Sequence, residues 1–136
     1  MTKAGMLFFG VSLLGAGTAL AYTLAKKDKN ERAGNRASIP SLLNAACSAA
    51  DRGDTDGFYV SVQAAGTLLD STAQPMLDDT APNNLFGRYQ VAVTAPETVL
   101  LCEGDSNLIG LGNELASLGY DYEAGQVLRI ALNEAP

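Results

Sequence analysis

From Gly5 to Ala25 the chain runs for 21 residues, GMLFFGVSLLGAGTALAYTLA, without a charged side chain. At about 1.5 Å per residue a helix of that length spans the roughly 30 Å hydrocarbon layer, so the stretch is expected to cross a bilayer once. Leu7, Phe8, Phe9, Val11, Leu13, Leu14, Leu20 and Leu24 each favour insertion by about 0.3–0.6 kcal/mol, while the glycines and hydroxyls oppose it. Small residues recur at four-residue spacing as Ser12/Ala16, Gly15/Ala19 and Gly17/Ala21/Ala25. Such spacing lets two transmembrane backbones approach closely and form a homo-oligomer, although an Ala/Gly-rich segment also produces it by chance. Ala19-Leu20-Ala21 before Tyr22 has in addition the small-x-small form of a signal-peptide cleavage site, and cleavage there would leave an exported domain.

The basic residues crowd around this run. Residues 1–36 hold Lys3, Lys26, Lys27, Lys29, Arg32 and Arg36 against Asp28 and Glu31, a net +4; the remaining hundred residues hold three arginines against thirteen carboxylates, a net −10. Counting Lys and Arg at the two ends of the span places the C-terminal domain on the cytoplasmic side, where reduced cysteines are at home. The chain therefore divides into an N-terminal tail (1–4), a transmembrane helix (5–25), a basic juxtamembrane linker (26–38) beside lipid head groups, and an acidic domain (39–136). Three scattered arginines cannot make a phosphate-binding face, so nucleic acid is not an expected partner.

Within the acidic domain the periodicity is helical. Leu42, Leu43, Ala46, Ala49 and Ala50 follow a start at Ser38 or Ser41 beside Pro40 and run to Arg52-Gly53; Phe58, Val62, Ala65 and Leu69 share one face of a second helix from Asp56 to Asp70. The two form an antiparallel hairpin around Gly53. Residues 71–83, with Pro75 and Pro82, read as a loop. Residues 85–93 alternate as in a strand at Tyr89, Val91 and Val93, yet Leu85, Tyr89 and Ala92 also share a helix face; helical neighbours favour helix. A short helix opening at Pro96, capped by Thr94, is expected to run through Cys102. The expected fold class is mainly α.

In residues 105–136, Leu108, Leu111, Gly112 and Leu115 match the W-x2-L-G-x2-Y spacing of a first helix, with Leu for both aromatics. Ala124 and Leu128 match an A-x3-F pair, while Ala131 and Pro136 fall at later small-residue and terminal-proline positions. This segment resembles one tetratricopeptide repeat, a helix–turn–helix unit of about 34 residues. Gly112 and Ala124 are small where the two helices cross, Gly119 permits the turn, and Leu111, Leu115, Leu118, Leu128 and Leu132 supply packed surface. Residues 42–70 are a weaker echo, with Gly57 or Phe58 where the family prefers Ala. Such folds need about three repeats to close a core, so an exposed flank on the last helix, covered by another subunit, is expected. If the hairpins make a concave face, the resemblance implies that Asn113 contacts a bound partner there.

Composition names no catalytic residue, cofactor or metal ligand set. There is no His and only Cys47 and Cys102, which excludes zinc clusters and Ser/His/Asp or Cys/His chemistry. Aligning Gly57 with the invariant glycine of a calcium loop puts Arg52 at the first ligand position and Gln63 at the bidentate Glu position, so calcium is not expected. Arg52-Gly53-Asp54 reads as turn chemistry. Cys47 and Cys102 could pair in an exported domain, but free buried thiols are expected. The sequence thus points to a non-enzymatic, single-pass membrane adaptor whose TPR-like domain binds other proteins. The alternatives are a structural subunit of a large membrane-associated assembly, such as a membrane-containing virion, a pilus-like apparatus or an energy-transducing complex, and an exported domain after cleavage at Ala21.

Overall fold

Two glycines, Gly53 and Gly119, 66 positions apart, set the architecture by ending one helix and turning the chain into the next. In the computed structural model, which describes residues 36–135, five α-helices and no strand occur among the described residues. They are α1 (Ile39–Asp51), α2 (Thr55–Gly66), α3 (Leu85–Thr94), α4 (Leu108–Ser117) and α5 (Asp121–Asn133). The expected transmembrane helix 5–25, its packing residues Ser12, Gly15, Ala16, Gly17, Ala19 and Ala21, most of the basic linker, and Pro136 lie outside the described residues. Of the described helices none is long and apolar enough to cross a membrane.

The hairpins α1/α2 and α4/α5 turn in the same way. Gly53 (φ 76°) donates to Ala50 O and Asp54 N to Ala49 O; Gly119 (φ 91°) donates to Ala116 O and Tyr120 N to Leu115 O. This paired pattern closes the last carbonyls of the first helix and needs a left-handed residue after the cap, which glycine adopts without a Cβ clash. The following helices start differently. Asp54 caps α2 through its side chain, accepting from Gly57 N at 2.9 Å, whereas Tyr120 ahead of α5 makes no side-chain cap.

The core is apolar and continuous from Ile39, Leu43, Ala46 and Ala49 on α1 through Phe58, Val62 and Ala65 on α2 to Leu108, Leu111 and Leu115 on α4 and Ala124, Leu128, Ala131 and Leu132 on α5. Gly112 belongs to the same surface: a Cβ there would lie 2.6 Å from Leu128 Cδ2, so its absence lets α4 and α5 cross closely. The expected packing positions Leu108, Leu111, Gly112, Leu115, Ala124, Leu128 and Ala131 are all buried. Leu118 is not: it is 48% exposed, because the turn at Gly119 directs it away from the helix interface.

The hairpins pack head to tail. The start of α1 lies against the end of α4, since Arg36 donates to Ala116 O, while Cys47 in the second half of α1 is bonded to Cys102, just ahead of α4. Consecutive units of a solenoid are instead related by a small rotation. The mutual orientation of the hairpins follows from the clamp and the disulfide.

Three sequence expectations are corrected here. Helix α2 stops at Gly66, four residues before Asp70, although Leu69 is still buried on the core. The segment after Pro96 is a single 3-10 turn, Pro96–Thr98, not a helix through Cys102. Thr94 closes α3 with its hydroxyl on Gln90 O, Val99 is extended, and the carbonyls of Leu100 and Leu101 are committed to the first amides of α4. Last, part of the flank of α5 expected to be exposed is covered within the chain, because α3 packs on α4 and α5 and the loop before it crosses the first turn of α5.

Candidate interaction site

The first turn of α5 carries two acids that sequence alone reads as ordinary surface residues. Asp121 is 7% exposed and Glu123 2% exposed. Charged groups are buried at this depth only when paired and hydrogen-bonded, and both are held by segments far away in the chain. Arg36 Nη1 donates to Asp121 Oδ2 and Nη2 to Oδ1, each at 2.8 Å, in a two-pronged ion pair; Nη2 also reaches Ala116 O at 2.9 Å and Nη1 reaches Leu68 O at 3.4 Å. Asp70 N donates to Asp121 Oδ2 at 2.6 Å. The Arg36 pKa is raised above its usual value, first by the hydrogen bonds to Asp121, against partial desolvation, with the charges of Asp121 and Asp70 adding to the rise. Glu123 Oε2 accepts from Met76 N at 2.8 Å and Leu77 N at 3.0 Å, while its Oε1 is buried without a partner.

The Arg36 clamp forms one end of a cavity of about 260 Å³ on the seam between the start of α1 and the end of α4. Its walls are Ala37, Ile39, Pro40 and Ala116, with Arg36, Asn113 and Ser117 as the polar groups. Asn113 Oδ1 is buried with no hydrogen-bond partner. An unpaired buried carbonyl costs about 1–3 kcal/mol, and a turn of the Asn113 side chain towards the cavity would let a ligand N–H or O–H relieve it. Arg36 is engaged by Asp121 and by Ala116 O. The volume suits one side chain and a stretch of backbone rather than a large cofactor.

A second cleft, of about 250 Å³, runs along α5 and is lined by Leu69, Asp70, Ser71, Tyr122, Gln126 and Arg129 among others. Above it on α3, Tyr89 donates its hydroxyl to Gln126 Oε1. Burial raises the Tyr89 pKa above 10.0, and the charges of Glu123 and Tyr122 raise it further. A third acid, Glu114, receives Arg88 Nη2 at 2.9 Å and Asn83 Nδ2 at 3.2 Å, tying α3 to α4. In the loop between the hairpins, Asp78 Oδ1 accepts from Thr80 N and the Thr80 hydroxyl, which holds this carboxyl below its usual range.

The expectation of free thiols is overturned. Cys47 and Cys102 form a disulfide across 55 residues of sequence, with their Cα atoms 5.8 Å apart. No spacing rule pairs them, because the bond depends on α1 and the segment before α4 meeting only in the folded chain. Asp54, which a calcium loop would need as a ligand, is the α2 cap, and no group of three His, Cys, Asp or Glu able to hold a metal occurs among the described residues.

Of the expected site residues, Asn113 lies at the cavity, while Leu108, Leu111, Gly112, Leu115, Ala124, Leu128 and Ala131 are buried in the core and do not line it. Sequence reasoning missed Arg36, which reads as one more juxtamembrane charge, and Asp121 and Glu123, which read as acids favoured by a helix N-terminus. Compared with protein-family models, curated proteins and solved structures, the chain gives no match.

Proposed function

We propose that this chain is a membrane-tethered docking protein whose α1/α4 seam takes a short peptide segment of a partner through Asn113. The supporting observation is the pairing of a side-chain-sized cavity with the partnerless Asn113 Oδ1. An amide side chain can accept from a backbone N–H while donating to a backbone carbonyl, so an extended peptide satisfies both ends of Asn113. The tether rests on the uncharged run 5–25, and the resemblance of the hairpins to tetratricopeptide units is in keeping with a protein-binding role.

Binding can be tested by selecting peptides from a random displayed library on the full chain in detergent micelles and measuring their affinity by fluorescence anisotropy. Asn113→Ala should weaken the selected peptides by on the order of tenfold or more, as expected for losing a buried hydrogen bond. Gln90→Ala, on the outer side of α3, should leave them unchanged. Equal affinity for Asn113→Ala and the parent chain would refute the seam as the site. For the tether, deletion of residues 1–25 should release the protein from sedimented membranes, and retention of the truncated form would refute an anchor.

The disulfide favours a second reading of the compartment. Disulfides persist on the oxidising side of membranes, whereas the Lys/Arg count favours the reducing side for the domain. An exported domain, either still tethered or released by cleavage after Ala21, accommodates the Cys47–Cys102 bond. Intact mass of the native protein separates the two forms, since cleavage predicts a chain starting at Tyr22.

A further inference from the structure

We infer that the Cys47–Cys102 disulfide is a reducible latch that holds the start of α4 and its capping loop on α1, with the Arg36–Asp121 clamp as the fixed end. The inference goes beyond the docking reading and stands on its own geometry. Because α1 and α4 run head to tail, α1 is fastened to the second hairpin near both its ends. At its start, Arg36 grips Asp121 and Ala116 O; towards its end, Cys47 is joined to Cys102. The cavity with Asn113 lies at the clamped end.

The latch holds more than two sulfurs. The segment that carries Cys102 also caps α4: Leu108 N donates to Leu100 O at 2.9 Å and Ile109 N to Leu101 O at 3.1 Å. Asn107 Oδ1 accepts from Gly110 N, and Asn107 Nδ2 donates to Gly104 O. The first amides of α4 therefore depend on a loop whose covalent tie to α1 is Cys102. Releasing that tie frees the loop, and with it the N-terminal end of α4. The opposite end stays fixed by an ion pair and by hydrogen bonds to Asp70 N and Ala116 O that do not involve the loop.

The bond is within reach of a reductant. Both cysteines are half-buried, and a cleft of about 290 Å³ lined by Ala50, Asp51, Leu100, Leu101, Cys102 and Glu103 opens beside Cys102. Leu100 at its mouth is 62% exposed. The co-reactant is a dithiol. One of its thiolates attacks Cys102 Sγ, forming a mixed disulfide as Cys47 Sγ leaves as a thiolate and takes a proton. The second thiolate then attacks the dithiol's own sulfur in that mixed disulfide, and Cys102 leaves and is protonated in turn. Two electrons pass to the protein sulfurs, and the dithiol becomes a cyclic disulfide.

The test is amide hydrogen exchange on the full chain in detergent micelles, oxidised and after treatment with excess dithiothreitol, with free thiols counted in parallel. Reduction in the folded state should speed exchange at the amides of Leu108–Leu111 by on the order of tenfold or more while leaving Ala124–Leu132 protected. Cys47→Ser/Cys102→Ser should reproduce the reduced pattern without reductant. Adding Arg36→Met to that pair should extend the loss of protection to the end of α4, since the fixed end is then gone. Thiols that resist dithiothreitol until the chain unfolds, unchanged exchange at 108–111 after reduction, or simultaneous loss at every helix would each overturn the latch. None of these readouts needs a bound peptide, so the latch and the docking site fail independently.

Discussion

The two hairpins share one turn geometry and differ in how they fill the space between their helices. With Gly53 aligned on Gly119, Ala49 and Phe58 of the first hairpin correspond to Leu115 and Ala124 of the second, and all four are buried. The large side chain comes from the second helix in one hairpin and from the first helix in the other. Ala65 and Ala131 correspond and are both fully buried, while Ala46 corresponds to Gly112. One backbone frame thus tolerates opposite assignments of bulk, provided that a small residue faces each large one. The hairpins also differ in charge. The N-terminal one buries only apolar residues, whereas the first turn of α5 gathers Arg36, Asp70, Met76 and Leu77 onto two carboxylates. The C-terminal hairpin is the hub, and the rest of the chain is fastened to it.

That contrast predicts a ranking. Asp121→Ala should be the most damaging single polar change, destabilising the domain by about 4 kcal/mol because Arg36 and Asp70 N lose a buried partner together. Chemical denaturation would show it, and a loss below 1 kcal/mol would demote α5 from hub to ordinary hairpin. Next, Ala124→Phe should cost about 3 kcal/mol through overpacking, and adding Leu115→Ala should restore about half of it by copying the Ala49/Phe58 arrangement. Strict additivity of the two changes would disprove the exchange of bulk. Asp54→Ala removes the α2 cap and should cost about 1 kcal/mol, with no counterpart at Tyr120, which caps nothing. The smallest effect concerns alkali. Tyr89 has a raised folded-state pKa, so its contribution is complete below the unfolded value near 10.0 and fades as pH climbs towards the folded one. Tyr89→Phe should therefore flatten the alkaline limb of the stability profile; an unchanged limb would place the cause elsewhere.

Helix positions were legible wherever apolar periodicity and a turn glycine coincided. Gly119 with Leu111, Leu115 and Leu128 marked the second hairpin, and Leu43, Ala46 and Ala49 marked α1. For α3 the residues alone were ambiguous and the helical neighbours favoured helix, which the structure shows with Leu85 and Ala92 fully buried on one face. Boundaries were less legible: α2 ends at Gly66 because the following turn lets Leu69 return to the core without helical geometry. Long-range polar partners left no local signal. Arg36 and Asp121 lie 85 residues apart, and nothing around either distinguishes it from a solvated charge. Asn113 was singled out by resemblance, but its orphaned oxygen is a property of the seam, which only the packing of α1 on α4 creates.

The placement of α3 carries one more consequence. It packs on both helices of the second hairpin, so part of the apolar surface of that hairpin is already covered from within the chain. A further hairpin fused behind Asn133 would have to compete with α3 for that surface.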